Sequence, residues 1–70
     1  MENKTFDTYK AYAFLRDSKG VTDYRVAKDT GIQRSTFSNW KNKGFVPKIE
    51  KLKTISNYFG VPITVLIGEK

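Results

Sequence analysis

Neither cysteine nor histidine occurs in this 70-residue chain. Their absence excludes a disulfide scaffold, a Cys/His metal site and catalysis by either residue. Long apolar runs are also missing, so neither a membrane span nor a secretory signal is expected, and the location to expect is the cytoplasm. Acids are scarce, with 7 Asp+Glu against 13 Lys+Arg. They are scattered along the chain. No nucleophile stands beside a base and no glycine loop cradles phosphate, so neither an enzyme nor a cofactor is expected. Seventy residues leave no room for a second core. Without staples, a fold this small must rest on well-packed helices or on association.

What is present is a foldable, basic composition. Hydrophobic residues make up 39% and charged residues 29%, which favours folding over disorder. The net charge of +6 suits a polyanionic partner. Surplus lysine often serves only solubility, so its distribution matters more than its sum. Between Lys41 and Lys53 the sequence holds five lysines and a single acid, Glu50.

The hydrophobic spacing is helical throughout. Residues 1–4 are polar and read as a loose segment, with one domain over 5–70. Thr5 is a candidate cap for a first helix ending near Ser18, with Asp7 at its positive end. Thr8, Ala11, Tyr12 and Leu15 share one face of that helix. Phe14 falls on the opposite side. Gly20 stops the helix. Thr22 caps a second, from Asp23 to about Thr30, with Val26 and Ala27 inward. Gly31 supplies a turn at positive φ, and Ile32 plugs it into the core. A third helix runs from about Arg34 to Asn42 and ends at Gly44. Pro47 is expected to open a fourth, because its missing N–H suits the first helical position. That helix carries Ile49, Leu52, Ile55 and Phe59 at core spacing and stops at Gly60. A short fifth helix holds Val65, Leu66 and Ile67. The reading is an all-α, compact five-helix bundle.

The segment 23–42, DYRVAKDTGIQRSTFSNWKN, carries the most information. Phe37 and Trp40, three residues apart, form the inner edge of the third helix. Its other side carries Gln33, Arg34, Ser35, Ser38 and Asn39. Such a two-sided helix suits packing on one face and reading base edges on the other. Arg can donate two hydrogen bonds to guanine O6 and N7, and Asn can pair with adenine N6 and N7. Candidate phosphate contacts are Thr22 at the start of the second helix, and Lys41, Asn42, Lys43 and Lys48 around the end of the third. Tyr24 either lies beside the DNA backbone or covers the core edge; the sequence leaves both open.

At these residues the chain resembles the lambda-repressor-like, Cro-type helix-turn-helix family. The resemblance spans roughly Tyr9 to Ile67. It is carried by Leu15-Arg16, Gly20-Val21-Thr22, Val26-Ala27, Gly31-Ile32, Ser35-Thr36-Phe37 and Trp40, then by Pro47, Leu52, Ile55, Phe59-Gly60-Val61 and Leu66-Ile67. It implies a phage-repressor or bacterial-regulator type of protein that binds operator DNA as a dimer, with the 34–42 helix in the major groove. There are departures from the family pattern. Gln33 stands where many members have Ser or Thr, Asp23 where many use Gln on a phosphate, and Arg25 where a capping box has an acid or amide.

The expected function is therefore sequence-specific duplex binding by a repressor-type transcriptional regulator, associated with the nucleoid. The rival reading is a protein-interaction module, such as the folded part of an antitoxin. The chain is expected to be mostly monomeric in free solution and dimeric on DNA. Phe14, Val65 and Ile67 are candidate self-contacts. It is either a minimal Cro-like protein or the DNA-binding part of a larger repressor whose oligomerisation region lies elsewhere.

Overall fold

The computed structural model describes residues 7–68. They form five helices and no strand: α1 (Thr8–Lys19), α2 (Asp23–Thr30), α3 (Arg34–Lys43), α4 (Ile49–Phe59) and α5 (Thr64–Ile67). Helix α1 packs on α4 and α5, while α2 packs on α3 and α4. The expected all-helical architecture is the observed one.

Local chemistry explains most boundaries. Asp7 caps α1, its carboxylate accepting from the Lys10 N–H at 3.1 Å. Thr22 caps α2 in the same way, its hydroxyl accepting from the Arg25 N–H at 3.1 Å. Helix α1 is thus capped two residues later than expected; the suggested cap, Thr5, lies outside the described residues. Gly31 ends α2 at φ 78° and donates its N–H to the Ala27 carbonyl at 2.9 Å. A side chain at that φ would be strained. The Thr30 hydroxyl donates to the Val26 carbonyl at 2.7 Å and accepts from the Ile32 N–H at 3.3 Å, stitching the turn that follows.

Two expectations about α4 fail. Its first residue is Ile49, capped by Lys48 in extended conformation at ψ 161°, so Pro47 lies outside the helix rather than at its first position. Ile49 also shares the helical spacing of Leu52 and Ile55 yet is 49% exposed, whereas those two are buried. Ser56, unmarked by hydrophobic spacing, is buried, its hydroxyl donating to the Lys53 carbonyl at 3.0 Å.

The core is built on aromatic rings. Tyr12, Phe37 and Trp40 are buried with Val26, Ala27, Ile32, Leu52, Ile55 and Leu66. Tyr12 is central. Its ring stacks on Trp40 at 5.1 Å and lies 5.2 Å from Phe37 and 6.2 Å from Phe59. Its hydroxyl donates to Asp23 at 2.6 Å. Burial and the Asp23 carboxylate push the Tyr12 phenol far above its ordinary range, so it stays protonated as a donor. Arg16 donates to the same Asp23 oxygen at 2.9 Å and to the Tyr9 hydroxyl at 3.0 Å. One carboxylate at the start of α2 is thereby tied to α1 by two donors. A second tie joins α2 to α4: the Tyr58 hydroxyl donates to Asp29 at 2.7 Å, and Arg25 donates to the same oxygen at 2.9 Å. These two donors hold the Asp29 carboxyl below its ordinary value, so the tie is present at neutral pH.

Candidate nucleic-acid interface

Helix α3 owes its two-sidedness to its sequence. Phe37 and Trp40 are buried, while Arg34, Ser35, Ser38, Lys41, Asn42 and Lys43 are exposed. Trp40 fixes the helix rotationally. Its ring meets Tyr12 and Tyr9, and its Nε1–H donates to the Thr8 hydroxyl at 2.7 Å. The buried indole therefore has a partner, as a desolvated N–H requires. The exposed row cannot turn inward without breaking that anchor.

Arg34, Ser35, Ser38, Lys41 and Asn42 line one open cleft of about 400 Å³, closed on the α2 side by Asp23 and Tyr24. Three candidate base readers and two candidate phosphate contacts are thus brought together. Asn39 sits on the other flank of α3. It is half-buried and lines a separate cleft with Thr36, Phe45, Val46, Lys48 and Lys51. Gln33 precedes the helix in extended conformation without a side-chain capping bond. The Ser35 hydroxyl is 3.5 Å from its Oε1, at the outer limit for hydrogen bonding. Lys43 is exposed at the last position of α3, and Lys48 is exposed at the cap of α4. Thr22 is exposed, with its hydroxyl oxygen already accepting from the Arg25 N–H.

The electrostatics favour an anion despite Asp23. That carboxylate accepts from Tyr12 and Arg16, so its charge is matched within the fold. Arg16, held by Asp23 and Asp17, is locked in its protonated form. Two of the three arginines serve carboxylates: Arg16 pairs with Asp17 and Asp23, and Arg25 with Asp29. Arg34 pairs with no carboxylate among the described residues. Its guanidinium lies instead over the Tyr24 ring, 5.2 Å from the centroid.

Helical periodicity carries no sign of this stack, of the Asp23–Tyr12–Arg16 cluster or of the exposed apolar trio Phe45, Val46 and Ile49. A search for i+10 charge–aromatic pairs across a helix–turn–helix would have found the first. Phe14 is 70% exposed, as its helical position requires, and Val65 and Ile67 are 37% and 42% exposed on α5. Leu66 between them is fully buried.

Two short helices joined through Gly31, with the second carrying an exposed polar row and resting on an aromatic core, define a helix-turn-helix module. The family model described as "Helix-turn-helix domain" matches residues 9–69, and the chain belongs to that family. DNA is the partner this family implies. The chain is also similar to the HTH-type transcriptional activator BcrR of Enterococcus faecalis, with 33% identity over 54 residues. The match covers 77% of this chain but only 26% of that protein. No solved structure matches the chain. Together, the family and this relative support DNA-binding transcription regulation as the function class. None of the described helices is long and apolar enough to cross a membrane.

Proposed function

We propose that this chain is the sequence-specific duplex-binding module of a transcriptional regulator, with α3 inserted in the major groove. The observation that carries this reading is the exposed row of α3, held outward by the burial of Phe37 and Trp40. Arg34, Ser35, Ser38 and Asn39 would read base edges, joined by Gln33 at the helix start. Lys41, Asn42, Lys43, Lys48 and the start of α2 at Thr22 would hold phosphates and fix the register. Occupancy alone blocks a promoter, so repression is the mode that binding supplies without further contacts. The Enterococcus relative bears the name of an activator; activation needs an additional contact with the transcription machinery.

Selection of bound sites from a random duplex pool tests the reading. A defined consensus is expected, and its absence overturns sequence-specific binding. Affinity should fall steeply with salt, as phosphate neutralisation releases counterions. Lys43→Ala is expected to weaken binding to all sequences alike and to lower the salt slope by about one unit. An unchanged affinity and slope would remove Lys43 from the phosphate contacts.

Two copies are proposed on a two-fold-related site, their half-sites roughly 34 Å apart, one turn of DNA. One ten-residue helix spans only a few base pairs, so a single copy binds weakly. Val65 and Ile67 on α5, with Phe14 on α1, are the proposed self-contacts. Cooperative binding and a footprint over both half-sites are expected. One protein per duplex at saturation, protecting a single half-site, would defeat this arrangement.

The alternative is a module that holds a protein partner. The exposed Phe45, Val46 and Ile49 are the observation in its favour. Such a module would yield no consensus from the duplex pool.

A further inference from the structure

We propose that Tyr24 positions Arg34 for base reading, through a cation–π stack between the two helices of the module. The inference rests on the base-reading role of Arg34 proposed above. Tyr24 is the second residue of α2 and Arg34 the first of α3. Both line the same cleft, and the guanidinium lies over the ring at 5.2 Å from its centroid. This is within the distance at which the negative ring face attracts a cation.

The stack has a consequence that a salt bridge would not. A carboxylate would occupy the guanidinium's N–H donors, as Asp23 does for Arg16 and Asp29 for Arg25. Arg34 pairs with no carboxylate among the described residues, and an aromatic ring has no carboxylate oxygens to take up those donors. Those are the donors that a bidentate contact with guanine O6 and N7 needs. Arg34 also requires such support. It stands at the end of α3 where the helix dipole is positive, and Gln33 contributes no capping bond there. An unsupported arginine loses side-chain freedom on binding a base. Tyr24 meets part of that cost beforehand.

The backbone that carries Tyr24 is fixed by its neighbours: Asp23 is bound by Tyr12 and Arg16, and Thr22 caps the helix. The ring is 56% exposed, so removing it leaves the core intact. Tyr24 is therefore a specificity-supporting residue whose main target is another side chain of the same protein.

The test compares Tyr24→Ala, Tyr24→Phe, Arg34→Ala and the Tyr24→Ala/Arg34→Ala double variant. Each is titrated against the duplex recovered by selection and against its single-base-pair variants, with thermal melts to verify folding. Tyr24→Ala is expected to lower affinity for the selected duplex roughly 2- to 5-fold. The loss should be concentrated in discrimination at the base pair that Arg34→Ala relaxes. Tyr24→Phe should retain wild-type discrimination, because the ring and not the hydroxyl supports the guanidinium. In the Arg34→Ala background the Tyr24→Ala change should have no further effect. An equal loss on every duplex, an additive double variant, or a Tyr24→Phe defect matching that of Tyr24→Ala would make Tyr24 a direct DNA contact and overturn the proposal. If Arg34→Ala relaxes no base pair, base reading by Arg34 falls and the positioning role with it. If Arg34→Ala relaxes one pair and Tyr24→Ala leaves that pair's discrimination intact, only the positioning role falls.

Discussion

Trp40→Ala is expected to abolish, or nearly abolish, the cooperative thermal transition of this domain. The indole is 2% exposed and touches the rings of Tyr9, Tyr12 and Phe37. Truncating a buried tryptophan typically costs about 3–5 kcal/mol through lost transfer energy and the remaining cavity. Small domains stand near the lower end of the ~5–15 kcal/mol that native proteins hold in reserve. The change also leaves the Thr8 hydroxyl without its 2.7 Å donor. Binding of DNA should disappear in parallel, because the same ring fixes the rotation of α3. Trp40→Phe keeps most of the packing but not the N–H, and an intermediate melting temperature is expected. Circular dichroism melts decide the matter. A cooperative transition for Trp40→Ala within a few degrees of wild type would show that the aromatic cluster does not carry the fold.

The second large effect concerns specificity. Arg34→Ala and Asn39→Ala are each expected to cost about 1–3 kcal/mol on the selected duplex and to relax preference at one base pair. Random duplex should lose less, with a small general loss for Arg34 from its charge. The two residues lie on opposite flanks of the exposed row, Arg34 beside Tyr24 and Asn39 beside Phe45 and Val46. They should therefore affect different base pairs, and their effects should add. Equal losses on selected and random duplex would reduce both to backbone contacts. Melting curves accompany the Asn39 variant, since its side chain is half-buried and packing loss must be separated from lost readout.

Much of the architecture is fixed by the sequence through short-range chemistry. The Thr22 hydroxyl accepts from the N–H three residues on, and Gly31 tolerates a φ of 78°; both act locally, and α2 has the bounds the sequence predicted. The spacing of Phe37 and Trp40 by itself assigns one edge of α3 to the core, where both are buried. The exposed row followed by elimination.

Tertiary structure decided what local chemistry leaves degenerate. Ile49 has the spacing of a core residue yet is 49% exposed, because spacing assigns a face and burial depends on what stands opposite that position. Proline at 47 is compatible with a helix start but does not compel one; the extended backbone of Lys48 delays α4 to Ile49. The pairs that shape the interface lie far apart in sequence. Tyr12 meets Asp23, Arg34 meets Tyr24, Asp29 meets Tyr58, and Trp40 meets Thr8 across 32 residues. Helical periodicity assigns a residue to a face, but which partner stands opposite depends on how the turns at Gly20, Gly31 and Gly44 orient one helix against the next.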